Sequence, residues 1–467
     1  MFHSMSGRRF HGFKRKLTLV SVFLVAHVGG NPAWASDSEP GFWKWAPTPP
    51  LGWNSYDAFG DSVTESEVMA NARWLQQHLL THGYNTVVID YRWYDPGANS
   101  GKLSAREGAK LSSDSYGRLS PAENRFPSAA GGLGFKPLAE RLHSMGLKFG
   151  IHVMRGIPRQ AVAADCPIEA SRSRASEAGD TSDTCIWNPD MYGVKGASRA
   201  GQAWYDSILR LYAQWGVDYI KVDDLSSPYH VSEIEAIRRA IDASGRPIIL
   251  SLSPGETPVG RAQHVAQHAN LWRISGDFWD GWESLNRQFD LLGAWLHERG
   301  PGHWPDADMI PLGHVGIRCD AAGPDRWTRF TKDEQVTLIS LWSLESSPLM
   351  LGMNLPDNDA WTESVLENDE VLRIDQDPAG HAAVPIQKVG PAEIWVKTLA
   401  DGDRAIGIFD RGEQPRTVML RWDELGLLGK QSVRDLWKGT DLGTLESFMS
   451  VEVRPHGAML LRFHPVR

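Results

Sequence analysis

Beyond its first forty residues the chain has no apolar run long enough to cross a bilayer. It has only three cysteines in 467 residues, too few for a disulfide-stapled scaffold. Cys166 and Cys185 flank one polar loop and could pair in an oxidising compartment, which would leave Cys319 alone. Positive charge is in deficit: 48 Lys and Arg against 57 Asp and Glu give a formal net charge of −9, which argues against a nucleic-acid partner or a membrane-binding patch. The first strand-like run, ending in LGWNSYD, lacks the Gly-rich turn that cradles phosphates, so no nucleotide cofactor is expected. The 16 histidines are scattered without metal-site spacing, so no metal is expected either.

What is plentiful is tryptophan, with 20 residues. Indoles stack well on sugar rings and bases, although most tryptophans in any protein pack the core. The N-terminus carries RRFHGFKRK (Arg8 to Lys16), then the apolar run LTLVSVFLV, then AWA ending at Ala35. This order of basic, apolar and small-x-small segments predicts a secretory signal over residues 1–35, with Ser36 starting an exported periplasmic or extracellular protein. An uncleaved anchor is the alternative, disfavoured because the apolar run is short.

Strand-like runs then alternate with amphipathic helical stretches: PPLGWNSY, YNTVVIDY, LKFGIHV, VDYIKVDD, RPIILSLS, NLWRISGD, GHWPDADM and SPLMLGM. Helical patterns between them, such as AWYDSILRLYAQWG and SEIEAIRRAIDASG, end in glycine. Eight such units predict an α/β fold, a (β/α)8 TIM barrel over residues 36–380; a doubly wound sheet would show the missing phosphate loop. From about Ala382 short alternating runs at roughly ten-residue spacing predict a small antiparallel β-sandwich over residues 381–467, with DQDPAG (Asp375 to Gly380) as the hinge. The polar run SRSRASEAGDTSD reads as a mobile exposed loop, and the Asp95–Pro127 insert is expected to shape a pocket mouth.

In a TIM barrel the chemistry sits at the C-terminal strand ends. Those ends carry Trp53 and Asn54, Asp90 and Tyr91, His152 and Arg155, Lys221 and Asp223, Ser253, Arg273 and Asp277, and Asp306 and Asp308. Several carboxylates, two cations, tryptophans and no metal ligands suit glycoside hydrolysis, which needs one carboxylate as nucleophile or base and another as proton donor. A single Asp at a strand end is more often an N-cap, a role that fits Asp224. Asp223 fits it less well, because alternation puts it on the face of Lys221, which would hold it ionised. The FWDGW setting of Asp277 would favour a protonated donor. Arg273, His152 and Arg155 are as readily explained by structural pairing.

The segments LGWNSYDAF, KFGIH, WGVDYIKVDD, WRISGD, GHWPDADM, SSPLMLGMNL and IDQDPAG resemble, in order and over nearly the whole chain after the signal, glycoside hydrolase family 27. This family holds retaining α-galactosidases and α-N-acetylgalactosaminidases, with some dextran- and arabinopyranoside-active relatives. The resemblance implies Asp223 as nucleophile, Asp277 as acid/base, and Lys221, Arg273 and Asp90 as sugar-hydroxyl binders above a Trp53 platform. Four positions depart from the family pattern. Tyr91 stands where a second acid is usual, Ser253 where a Glu often reaches the 2-hydroxyl, His152 where an aromatic is common, and Leu225 where a cysteine often closes a disulfide. The expected partner is an oligosaccharide or polysaccharide cut by an exo-acting α-galactosidase. Ser253 keeps an α-N-acetylgalactosaminidase open and Tyr91 an isomalto-dextranase-like enzyme. A non-catalytic carbohydrate-binding protein and a Schiff-base lyase using Lys221 are further alternatives.

Overall fold

The computed structural model of the chain describes residues 39–98 and 108–466, so the secretory signal expected over residues 1–35 lies outside the described residues. Pro40 to Arg467 form one compact unit. Eight parallel strands build its first sheet: β1 (Leu51–Asn54), β2 (Thr86–Ile89), β3 (Lys148–Met154), β4 (Tyr219–Asp223), β5 (Ile249–Leu252), β6 (Leu271–Arg273), β7 (Trp304–Asp306) and β8 (Leu349–Leu351). They are hydrogen-bonded in the order β7-β6-β5-β4-β3-β2-β1-β8. The circle closes through Ile310, whose N–H donates to Met350 O while its carbonyl accepts from Gly352 N–H. These strands are buried along nearly their whole length, which is why they read in sequence as continuous apolar runs.

The helices outside the barrel follow the expected patterns, with α1 (Glu65–His78), α2 (Lys136–Ser144), α3 (Arg199–Trp215), α4 (Val231–Ser244), α5 (Ala262–Ala266), α6 (Trp282–Ala294) and α7 (Lys332–Leu344). Local chemistry sets their ends. Thr331 and Glu334 form a capping box at the start of α7, and Gly216 and Gly245 end α3 and α4 in left-handed conformations. The helices bury their apolar stripes on the barrel, α3 through Trp204, Tyr205, Ile208, Leu209, Tyr212 and Trp215.

The C-terminal region is antiparallel throughout. Strands β9 (Val384–Val389), β10 (Ala392–Thr398), β11 (Arg404–Asp410), β12 (Arg416–Arg421), β13 (Lys430–Asp435), β14 (Thr440–Glu446), β15 (Phe448–Val453) and β16 (Ala458–Pro465) form a six-stranded sheet, β9-β10-β11-β16-β13-β14, and a pair, β12-β15. The sheets share a core of Ile394, Ile406, Ile408, Val418, Leu420, Val451 and Phe463. Sequence alternation marks six of these strands. It misses β9 and β14, which are largely exposed and so carry no buried face to leave a periodic signal.

Two further expectations need correction. The polar run from Ser171 to Asp183 is folded rather than a free loop: it holds a helical turn, Ala175–Ala178, with both alanines buried, and a bridge from Gly179 and Asp180 to Val194 and Gly193. The Cys166–Cys185 pair does not form, and all three thiols are free. Cys166 lies near Gly117, whereas Cys185 lies within the electrostatic reach of Asp224 and Arg155.

Candidate active site

The C-terminal strand ends surround a cavity of about 480 Å³, lined by Tyr56, Asp57, Asp90, Tyr91, Trp187, Lys221, Asp223, Pro254, Arg273, Asp277, Phe278, Trp279, Asp308 and Met309. Strand register builds its centre. Pairing of β3 with β4 sets His152 beside Lys221 and Met154 beside Asp223. His152 is fully buried, with Nε2 3.0 Å from Asp223 Oδ2. Lys221 Nζ donates to Asp90 Oδ2 at 3.0 Å and stands 4.0 Å from Asp223 Oδ1. Asp90 also accepts from Asn54 Nδ2 at 2.7 Å and from the Tyr91 N–H at 2.8 Å.

These contacts decide the charge on Asp223. Burial alone would raise its carboxyl, but Lys221, His152 and Arg273 outweigh it and hold Asp223 well below the usual carboxylate range. Asp90 is likewise lowered, burial again being overcome by Lys221 and His152. The same neighbours raise Lys221 against its own burial, chiefly Asp90 and Asp223, so the ammonium stays charged. An amine kept protonated is a poor Schiff-base nucleophile, which weighs against lyase chemistry.

Asp277 differs sharply from Asp223. Its side chain is 55 % exposed and faces the cavity, with Oδ1 accepting from Arg273 Nη2 at 3.4 Å. The enclosure suggested by FWDGW is only partial: Phe278 and Trp279 both line the cavity, Phe278 with its ring packed on Phe330 and Trp342, yet Asp277 between the wall and solvent stays exposed. Arg273 is buried and locked, donating to Asp308 Oδ1 at 2.7 Å, Gly276 O at 2.6 Å and Ser253 Oγ at 3.4 Å. Burial, with Asp277 nearby and against the pull of Arg273, pushes Asp308 up to about 7. Asp57 has a buried Oδ2 without a hydrogen-bond partner, and burial and Asp308 push its carboxyl well above the usual range. A neutral acid there can donate as well as accept toward a sugar hydroxyl. A Cβ at position 352 would overlap that carboxyl, so the close approach requires Gly352.

Lys221, Arg273, Asp90, Tyr91, Asp223 and Asp277 thus share one cavity, and two other residues expected beside them do not line it. Trp53 is fully buried beneath, its Nε1 donating to Met353 O, because its side chain faces the core; Tyr56, just beyond the strand, supplies the aromatic wall there. Ser253 is also fully buried and stands behind Arg273, leaving Pro254 as the wall. Asp224 is not a cap. Its left-handed backbone (φ 66°) turns it away from Asp223 into a buried pair with Arg155, whose Nε and Nη2 reach Oδ2 at 2.9 and 2.8 Å. Arg155 also binds Asp183 and Glu233, so it ties the segment between β3 and β4 to α4. Asp306 accepts from the Asp308 N–H and does not line the cavity.

Trp187 was not legible as a site residue, because it lies in the long excursion between β3 and β4. It packs 5.9 Å from the Tyr91 ring, and neighbouring Asn188 donates to the Tyr91 hydroxyl at 2.8 Å. None of the described residues of the Asp95–Pro127 insert lines the cavity; Arg118 and Arg125 instead fasten it to Glu169 and to the carbonyls of Val63 and Arg92. Half of the 20 tryptophans are buried core residues among those described, Trp93, Trp204, Trp272, Trp295, Trp304, Trp342 and Trp395 among them. Among the described residues, no helix is long and apolar enough to cross a membrane.

The chain is similar to known proteins over most of its length. Residues 190–377 match the family model described as alpha galactosidase A, and residues 389–463 that of the alpha galactosidase C-terminal beta sandwich domain. The chain is 47 % identical to a GH27 β-L-arabinopyranosidase from Geobacillus stearothermophilus, covering 92 % of this chain and 99 % of that one with a TM-score of 0.89. It is 42 % identical to a putative α-N-acetylgalactosaminidase from Bacillus halodurans C-125, covering 90 % and 97 % with a TM-score of 0.80. An alpha-galactosidase 2 from Arabidopsis thaliana is 28 % identical over 422 residues, 88 % of each chain.

Proposed function

The chain belongs to glycoside hydrolase family 27, and we propose that it is a retaining exo-α-galactosidase that removes terminal non-reducing α-D-galactosyl residues. The observation that carries this reading is the asymmetry of its two carboxylates: Asp223 is buried and held ionised by Lys221, and Asp277 is half exposed across the same cavity. Asp223 attacks the anomeric carbon while the Asp277 carboxylic acid gives its proton to the departing oxygen. Water then hydrolyses the glycosyl ester with Asp277 as base, returning the carboxyl proton to Asp277. Asp90 and Lys221 hydrogen-bond the sugar hydroxyls, and Tyr56 and Trp187 offer apolar faces to the ring.

A second reading rests on Tyr91. A β-L-arabinopyranosyl ring has the α-D-galactosyl configuration without the C6 hydroxymethyl group. Tyr91, fixed by Asn188, fills cavity wall beside Asp90 where a second carboxylate would accept from a 6-hydroxyl. Initial rates on nitrophenyl α-galactoside, β-L-arabinopyranoside, α-N-acetylgalactosaminide and α-glucoside separate the readings. Highest kcat/KM on the galactoside supports the first, and a preference for the arabinopyranoside supports the second. Absence of turnover on all four contradicts both. The basic, apolar and AWA segments support export; a mature N-terminus at Ser36, read by Edman degradation of exported protein, is the expected result.

A further inference from the structure

Away from the cavity, α4 and the segment between β5 and β6 bring together Glu235, His264 and His268, whose ligand-capable atoms lie within 4.8 Å of one another. We propose that these three residues form a structural site for a divalent transition-metal ion of the zinc class. His264 and His268 stand four residues apart, and their rings are stacked at 4.3 Å. His264 lies on α5 and His268 in the turn just past its end, and the stacking brings the two imidazoles to one side, as in i, i+4 histidine pairs that bind zinc. Glu235, on α4, supplies the third donor: Oε1 lies 3.5 Å from His264 Nε2. Adjacent donors in a tetrahedral zinc site stand about 3.3 Å apart, given Zn–N and Zn–O bonds near 2 Å.

The orientation of the imidazoles is the more telling feature. His268 Nδ1 is 2.7 Å from His264 O, and a carbonyl can only accept, so Nδ1 carries the proton and Nε2 keeps its lone pair. His264 Nδ1 is 2.7 Å from the Tyr229 hydroxyl, which can accept from Nδ1–H in the same way. Both rings thus have their Nδ1 atoms engaged by oxygen, the outer-shell arrangement that orients metal-binding histidines. Two cations border the site: Arg239 Nη1 lies 3.5 Å from Glu235 Oε2, and Arg261 lies over the Tyr229 ring. Both are compatible with metal binding, since Arg239 engages the other carboxylate oxygen and its side chain is 52 % exposed. Two imidazoles and one carboxylate leave a fourth position for water, as in three-ligand zinc sites. The sequence hid the site because its third donor comes from another helix.

A metal here would fasten α4, which follows the strand of Asp223, to the segment after β5, whose loop contributes Pro254 to the cavity. The test is calorimetric titration of the full-length, EDTA-dialysed protein with zinc chloride, beside a His264→Ala/His268→Ala double variant. One equivalent of zinc should bind the parent protein, and affinity should fall at least tenfold in the variant. No binding by the parent at micromolar protein, or undiminished binding by the variant, overturns the proposal. Should the variant fail to fold, the parent protein decides alone. Zinc should protect His264 and His268 from diethyl pyrocarbonate in peptide mass maps, and unprotected modification of both contradicts the site.

Discussion

At the strand ends Lys221 and Arg273 face Asp57, Asp90, Asp223, Asp277 and Asp308 around an open cavity, whereas at the seam between barrel and sandwich Arg299 and Lys397 face Glu345 and Asp375 among packed side chains. Both regions bury charge, and they use it differently. The seam is balanced in number and closed to solvent: Arg299 Nη2 meets Glu345 Oε2 at 3.1 Å, and Lys397 Nζ donates to Ser343 O, Ser346 Oγ and Ile374 O. The cavity carries five carboxyls against two cations, with Asp223 and Asp90 held ionised and Asp277 open to solvent. Surplus acid around a sugar-sized space is therefore the mark of chemistry, and buried pairing alone is the mark of a fastening.

Substitutions at the two regions should separate rate from stability. Asp223→Asn should lower kcat on the order of 10⁴-fold or more in a chain that still folds, with a thermal midpoint somewhat below the parent's at neutral pH because His152 and Lys221 lose their carboxylate. A variant that retains most of its turnover would remove Asp223 from the nucleophile role. Asp277→Ala should cost roughly 10²–10⁴-fold with a poor leaving group and far less with dinitrophenol, since only the former needs proton donation. Equal losses with both would contradict the acid role.

At the seam the expected effect is on folding. Lys397→Met should lower urea-unfolding stability by about 3–5 kcal/mol, the cost of breaking a buried charge network, and leave kcat/KM within about twofold. Burial pushes Glu345 up to about 7 from its ordinary 4.5 despite Arg299. The folded chain then keeps a proton that the unfolded chain releases between those values. Stability from this group accordingly falls as pH rises from 4.5 to 7, with a slope approaching about 1.4 kcal/mol per unit. Glu345→Gln should flatten that fall, and an unchanged slope would assign it elsewhere. The smallest expected effect concerns selectivity: Tyr91→Asp should shift preference from arabinopyranoside toward galactoside by roughly tenfold or more, with Asn188→Ala shifting it less.

Much of this was legible in the sequence because a parallel strand buried on both faces writes a continuous apolar run, and the barrel places chemistry where that run turns polar. Lys221 and Asp223 could be set on one face from alternation alone. His152 could not be joined to Asp223, because their proximity depends on the register between β3 and β4. Trp53 drew attention as the more conspicuous aromatic, yet Tyr56, beyond the strand end, is the one at the cavity. Trp187 and Asn188 lie in a long excursion whose path has no periodic signature, and Arg155 shows its partners only once that excursion folds back.

The pairing of Asp223 as nucleophile with Asp277 as acid/base is tested most directly by the anomer first released from nitrophenyl α-galactoside, followed by proton NMR before mutarotation. Double displacement through Asp223 predicts that α-galactose appears first and the β-anomer only later. Initial release of β-galactose would mean single displacement by water and would contradict the account.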